Sequence, residues 1–448
     1  MALENKEPGV EHRDPQYFGY YAMLQHQQNM LQDSVRTSTY RSAILLNGPE
    51  CIQDKLVMDV GAGSGILSYF AVQAGAKQVY AVEASDMAKK MQRLVKDAGK
   101  QGKNAFLKDK ITVVNAKIED DNLPIPQVDT IVSEPIGVLL FHERMLESYI
   151  HARDHYLKPG GTLLPSKGGI YLAPFTDATL WTETMAKARF WEQQSFYGID
   201  LNPLYHEAKA EMFGMPVVGH FDPRQLITTP TILDSFGVDF STVTLDELKD
   251  MTMPFEWVSG YTGLMHGVAG WFDLSFGPPP YDAATLATKT PEQLNNMAGT
   301  TIEMSTGPAA ERTHWQQVRF LFKEPLAVNA NQTISGWMRC IVNDMRSYTI
   351  YVEVTLDKSQ LSDPATLDTS MAAVGATDDD TQHQQRAFIT QFQHNPLVRR
   401  GVWELHEQTY NYSYHPDLPQ PAHQPEYACL YQPDDTMQDL MDSYPDFV

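Results

Sequence analysis

Two glutamates nine residues apart, Glu134 and Glu143 in VSEPIGVLLFHERMLESY, are the residues whose type and spacing best fit chemistry on a cation. Glu134 ends an apolar run and precedes a Pro-Ile-Gly turn, and Glu143 is expected to open the next helix, so a hairpin-like loop returns the second carboxylate to the first. Converging carboxylates hold a planar, permanently charged guanidinium by bidentate hydrogen bonds and concentrate electron density on its remaining nitrogen. The competing expectation is a capping glutamate plus an ordinary salt bridge.

A second cluster lies upstream. VMDVGAGSG sets Gly61, Gly63 and Gly65 after a predicted strand and before a predicted helix, where a tight backbone turn lets a ligand approach the carboxyl edge of a sheet. Ile66 stands where a dinucleotide fingerprint requires its last glycine, and no P-loop lysine follows. Glu83 ends QVYAVE about 20 residues past the loop, the spacing of an acid that accepts ribose hydroxyls. Asp59 precedes the first glycine and is a candidate to orient the loop or a ligand ammonium group. S-adenosylmethionine suits this set better than NAD or ATP, because it carries an amino-acid group and no pyrophosphate. Arg36 in QDSVRTSTY is the candidate partner for its carboxylate, and Glu119 in AKIED for its adenine rim.

These residues need a scaffold. From Lys55 to about Pro165, apolar strands alternate with helical stretches, which predicts a doubly wound α/β, Rossmann-like sheet. One or two helices over Tyr17–Leu46 precede it. After Pro165 short β-rich runs with closely spaced Gly and Pro predict an antiparallel β-barrel or sandwich. The aromatic-rich stretch Leu180–Phe213 reads as an excursion from it, and Gly277–Gly307 as a long surface insertion. The domain limits expected are therefore 1–46, 47–165, 166–357 and 358–448.

Composition bounds the partners. The 448-residue chain carries 34 Lys+Arg against 56 Asp+Glu, a net charge of −22, which argues against nucleic acid as the main ligand and leaves basic partners open. Three scattered cysteines without metal-ligand spacing imply a reducing compartment, and no apolar run is long enough to span a membrane, so a soluble intracellular protein is expected. From Asp357 onward four basic residues face 15 acidic ones among many prolines, which predicts a largely disordered tail. Its end, DDTMQDLMDSYPDFV, has the acidic-apolar alternation of segments that fold against a partner.

At this level of detail the chain resembles the protein arginine methyltransferases, and within them the coactivator-associated type I branch. YFGYY, QNMLQDSVRTSTY, VMDVGAGSGILS, VEAS, SEPIG with ERMLESY, LAPFTD, FWEQQSFYGIDL and THW fall in family order between Tyr17 and about Lys358. The resemblance implies a Rossmann-like domain, a β-barrel and a helical dimerisation arm at about 180–213. It implies that Phe18, Tyr21, Gln27, Met30 and Arg36 close over the cofactor with Asp59, Gly61, Gly63, Glu83, Ala84 and Glu119 around it. Glu134 and Glu143 become the guanidinium clamp, with His314 hydrogen-bonded to Asp33 beside them and taking up the released proton. Met30 matches the methionine that directs the second methyl to the same nitrogen. The implied product is asymmetric dimethylarginine on histone tails and proline-rich or RNA-binding proteins, made by a homodimer of nucleus and cytoplasm with a role in transcription.

The chain departs from the family at Ile136 and Val138, where Met and Tyr are usual, and this bears on substrate fit and product ratio. About 16 residues precede Tyr17, where the animal coactivator-associated enzyme carries a folded interaction domain. The insertions Gly99–Lys110 and Gly277–Gly307 and the tail fall outside the resemblance. Two other expectations stand beside the first: methyl transfer to a small-molecule amine or hydroxyl, and an idle adaptor working through the acidic tail.

Overall fold

The computed structural model describes residues 14–97, 104–228, 233–277, 301–367, 388, 395–405 and 409–410. The N-terminal stretch folds as three helices rather than one or two: α1 (Asp14–Tyr21), α2 (Leu24–Gln32) and α3 (Ser34–Leu46), with one further turn α4 (Gly48–Cys51). Asp33 makes the extra break. Its backbone leaves helical angles and its carboxylate accepts the Arg36 amide, which ends α2 and caps α3.

The parallel sheet follows the predicted alternation: β1 (Leu56–Val60), α5 (Ile66–Gln73), β2 (Gln78–Val82), α6 (Met87–Lys96), β3 (Ile111–Val114), β4 (Val128–Ser133), α7 (Met145–Tyr156) and β5 (Leu157–Leu164). Strand order is β3-β2-β1-β4-β5, with every pair parallel. The order reverses between β1 and β4, which pair as far as Val60 opposite Ser133. Gly61 and Glu134 are therefore the next residues on either side of the crevice where doubly wound sheets bind ligands.

The second half begins with β6 (Lys167–Phe175), then α8 (Ala178–Arg189), α9 (Tyr205–Gly214), β7 (Val217–Gly219), β8 (Ser235–Asp239), α10 (Leu245–Lys249), β9 (Asp250–Val258) and β10 (Gly263–Phe276). It continues through β11 (Ile302–Ser305), β12 (Gln317–Val328), β13 (Thr333–Val342), β14 (Tyr348–Thr355), β15 (Val398–Glu404) and β16 (Thr409–Tyr410). One sheet runs β16-β7-β12-β10-β6-β8 with β11 on β10, the other β15-β14-β13-β9, and all pairs except β16 with β7 are antiparallel. Helices α8 and α9 make the excursion expected at about 180–213, with Asp177 capping α8.

Strand β9 tolerates Pro254 because it lies at the sheet edge, where one side of its ladder needs no partner. Two sequence expectations are corrected. Ile302–Ser305, inside the expected insertion, pairs with β10, while 278–300 lies outside the described residues. The tail expected from 358 is not wholly apart from the barrel: β15 completes the four-stranded sheet, burying Trp403 and pairing Arg400 with the buried Glu353. The acidic excess of the whole segment concealed the short apolar alternation of VRRGVWE. Residues 411–448, which include the acidic-apolar end, and residues 99–103 of the first insertion lie outside the described residues. Among the described residues no helix is long and apolar enough to cross a membrane.

Candidate active site

The glutamate loop is strained and braced. Leu139, Leu140, Glu143 and Arg144 all have positive φ, 55°, 77°, 73° and 58°, a conformation that costs roughly 1–3 kcal/mol per non-glycine residue and persists only where surroundings impose it. Glu143 thus precedes α7 in a left-handed turn instead of opening the helix. The chain folds back at Gly137, which exchanges backbone hydrogen bonds with Leu140, and a Cβ there would meet the His142 carbonyl oxygen at 2.1 Å. Bracing comes from the barrel: Trp315 Nε1 donates to the Ile136 carbonyl at 2.9 Å, and His142 Nδ1 meets Ser347 Oγ at 2.7 Å. Arg144 holds Glu147 with two bonds, 2.7 and 3.0 Å, and reaches the Asn343 carbonyl.

The N-terminal helices close on both glutamates. Tyr21 donates to Glu143 Oε2 at 2.5 Å, and the Tyr17 hydroxyl also bears on Glu143. Arg36 Nε and Nη2 both end on Glu134 Oε2, at 2.9 and 2.6 Å, while the Ile136 amide donates to Glu134 Oε1. Asp33 Oδ2 accepts from the His314 amide at 2.8 Å and meets His314 Nδ1 at 2.7 Å. Arg36 ties these contacts together, its side chain on Glu134 and its amide on Asp33, whose other oxygen meets His314, while Tyr21 of the same helical segment reaches Glu143.

Electrostatics follow from burial and partners. Burial pushes the Glu143 carboxyl above the ordinary glutamate value, against the opposing hydrogen bonds of Tyr21 and Tyr17 and the charge of Arg346. Burial acts the same way on Asp33, but the His314 ring and the amides of Arg36 and His314 outweigh it and hold the carboxyl low. His26, with its ring 4.7 Å from that of Tyr21, is pushed down to about 4 by burial and by the charges of His314 and Arg36.

The glycine loop is bare backbone roofed by two side chains. Gly61, Gly63 and Gly65 have φ of 69°, 53° and 92°; a Cβ on Gly63 would lie 2.8 Å from Gln27 Oε1, and one on Gly61 2.0 Å from Met145 Cε. Gln27 spans the gap, donating to the Tyr21 carbonyl and accepting the Ser64 amide at 3.0 Å. Glu83 accepts the Gly63 and Ser85 amides, each at 2.8 Å, one on each oxygen. Each oxygen keeps a second lone pair, so the carboxylate can still take both hydroxyls of a ribose. Asp59 holds the start of α5 rather than the loop itself: Oδ2 accepts the Ser68 amide and hydroxyl, and burial pushes the carboxyl up to about 7.

Other expected residues are placed less simply. Arg36, expected at a ligand carboxylate, is committed to Glu134 and, through Nη1, to the Met30 carbonyl, which leaves two of the five guanidinium donors. Glu119 accepts the Ser148 hydroxyl at 2.5 Å on the exposed rim. Ala84 continues the strand end beside Asn115, and Phe18 packs under Lys117 and Arg346. Sequence reasoning missed Tyr17, Met145 and Arg346. The first two lie inside the quoted motifs YFGYY and ERMLESY, while nothing in the local sequence marks Arg346.

A family model described as the arginine methyltransferase oligomerization subdomain matches residues 166–360, and one described as ribosomal protein L11 methyltransferase matches 46–151. The chain is 43% identical over 341 residues to a probable histone-arginine methyltransferase CARM1 of Oryza sativa subsp. indica, covering 76% of this chain and 58% of that protein. It is 42% identical over 355 residues to the histone-arginine methyltransferase CARMER of Drosophila ananassae, covering 79% and 60%. The chain belongs to the protein arginine methyltransferase family. The fold agrees with the PRMT1 enzyme-prozyme complex of Trypanosoma brucei, solved with AdoHcy: TM-score 0.61, 27% identity, covering 76% of this chain and 96% of that one. As a member of the family, this chain spans about three fifths of the curated relatives it matches. Its bare glycine cradle and the free lone pairs of Glu83 fit the nucleoside of a methyl-donor cofactor.

Proposed function

We propose that the chain is an S-adenosylmethionine-dependent protein arginine N-methyltransferase of type I, making monomethyl and then asymmetric dimethylarginine on histone tails and other arginine-containing proteins. The observation that carries this is the strained loop that presents Glu134 and Glu143 in one cleft at the sheet's switch point, each already bound by a donor from the N-terminal helices.

S-adenosylmethionine, when bound, supplies an electrophilic methyl group on a sulfonium. Glu83 is suited to its ribose, and the two remaining donors of Arg36 to its carboxylate. A carboxylate has about four lone-pair sites, and Glu134 has accepted three donors, so one further N–H can be held there. Glu143 supplies the second anion for the guanidinium. Holding both sides of that plane fixes which nitrogen faces the methyl donor and removes the orientational entropy of the encounter. His314, oriented by Asp33 through Nδ1, is the residue suited to accept the proton released afterwards. Met145 roofs Gly61 beside the clamp, and Met30, whose carbonyl accepts from Arg36, is the residue the family resemblance assigns to steering the second methyl.

A homodimer through α8 and α9 accords with the description of the matched family model and with apolar side chains open on this arm, Tyr197 at 93% and Ile199 at 62% exposure. A nuclear and cytoplasmic distribution suits substrates of this kind.

The test is incubation of the purified protein with S-adenosylmethionine and mixed arginine peptides, histone-tail and proline-rich sequences included, with products read by fragmentation mass spectrometry and Glu134→Gln as control. Asymmetric dimethylarginine from the wild type alone supports the assignment. Symmetric product would overturn type I, and cofactor binding without any methylated peptide would overturn the substrate class.

A further inference from the structure

Helix α1 carries the Tyr17 and Tyr21 hydroxyls that bear on Glu143; Asp14 is its one fully buried residue, and Tyr17, Phe18 and Tyr21 are half-buried. The contacts at Asp14 are ionic and come from both halves of the molecule. Lys117, in the connection after β3, and Arg346, in the turn between β13 and β14, both donate to the Asp14 carboxylate. Arg346 also sits over two aromatic rings of α1. Its guanidinium carbon is 4.4 Å from the Tyr17 ring centre and 5.9 Å from that of Phe18, while Lys117 Nζ is 5.6 Å from the Phe18 ring. Tyr17 in turn packs against Tyr21, ring centres 4.8 Å apart.

The same barrel turn grips the opposite wall of the cleft, through Ser347 to His142 and through the Asn343 carbonyl to Arg144. Arg346 stands in sequence between these contacts with φ of 55°, a left-handed angle that a non-glycine residue keeps only where its surroundings impose it.

We propose that Arg346 is a positioning residue: from the barrel turn it holds α1, through Asp14 and the Tyr17 ring, at the height where Tyr21 closes on Glu143, with Lys117 the matching anchor on the parallel-sheet side. This rests on Glu143 being part of the substrate clamp. The role needs both charge and a flat cation, so lysine at this position retains the attraction to Asp14 and loses the stacking on Tyr17.

The test compares Arg346→Met, Arg346→Lys, Asp14→Asn and the Asp14→Asn/Arg346→Met double variant as full-length protein. Three readouts are taken: hydrogen exchange of residues 14–21, affinity for S-adenosylhomocysteine at about 50 and about 300 mM salt, and kcat and KM on an arginine peptide. Arg346→Met and Asp14→Asn should each raise exchange in α1 by about tenfold, lower kcat/KM and abolish the salt dependence of affinity. The double variant should be no worse than either single one, and Arg346→Lys should recover part of the loss. Unchanged α1 exchange in both single variants overturns the proposal, and so does fully additive damage in the double. If Arg346→Met lowers the melting temperature globally, Asp14→Asn, at the start of α1, decides the matter. A wild type that methylates no arginine peptide counts against the substrate assignment and leaves the exchange result standing separately.

Discussion

Arg36 and Glu134, 98 residues apart, form a buried ion pair in which two guanidinium nitrogens converge on one carboxylate oxygen, with side chains 8% and 10% exposed. The residue proposed for the cofactor carboxylate and one of the two proposed clamp glutamates are therefore one electrostatic unit. Removing one partner of a buried pair costs about 3–5 kcal/mol, because the other charge stays buried alone. Glu134→Gln should accordingly lower both turnover and melting temperature. Glu143→Gln retains an acceptor for Tyr21, so it should keep its melting temperature while turnover falls by on the order of 10²–10³. Wild-type turnover in Glu143→Gln would remove that residue from the clamp.

The raised Glu143 carboxyl gives the reaction an acid limb. Protonation removes one of the two charges facing the guanidinium, so kcat/KM for an arginine peptide should fall as pH drops through a value above the ordinary glutamate range. A pH profile at saturating cofactor measures this. A limb at or below the ordinary value would contradict the environment described for Glu143.

Asp33 has two duties that substitutions separate. Asparagine keeps the α3 cap and loses the charge facing His314, whereas alanine loses both, so Asp33→Ala should be less stable than Asp33→Asn by about 1 kcal/mol. The depressed carboxyl also makes a signed prediction. It contributes stability above the unfolded value of about 3.9, which disappears as pH falls through the lower folded value, and Asp33→Asn lacks that contribution. Acid titrations of the two proteins followed by circular dichroism should diverge over that interval; coincident curves would refute it.

Asp59 has the opposite sign. Its folded value of about 7 lies above the unfolded one, so its contribution is full below about 3.9 and is lost as pH rises through about 7. Asp59→Asn, which can still accept from Ser68, should gain stability relative to wild type on going from about pH 5 to about pH 8 in ligand-free thermal melts. An unchanged difference between the two melts would show that Asp59 is ionised throughout.

The arm prediction is simpler. Tyr197→Asp with Ile199→Asp places two charges on exposed apolar positions of the excursion, where folding of the monomer is little affected. Sedimentation should report a dimer for wild type and a monomer with weaker cofactor binding for the variant. A wild-type monomer would reject the assembly.

Much of the site could be read in the chain because its chemistry is local. The glycine loop needs positive φ at consecutive turns, Glu83 follows at the distance one β-α-β unit imposes, and the glutamates are joined by one short loop. Strand β15 was missed because charge was averaged over a long segment, and an edge position that tolerates Pro254 in β9 is a property of the assembled sheet, not of the local sequence.

The sequence by itself determined the alternation that builds the parallel sheet, the crevice beside Gly61 and Glu134, and the kinds of side chain that line it. Tertiary structure alone decided that Arg36 is spent on Glu134, that Glu143 sits in a left-handed turn under Tyr21, and that Arg346 reaches α1 from a turn of the barrel. The physical reason is range. Backbone preference and hydrophobic periodicity act over a few residues, whereas an ion pair or a shared proton depends on which distant surfaces the packed sheets bring together.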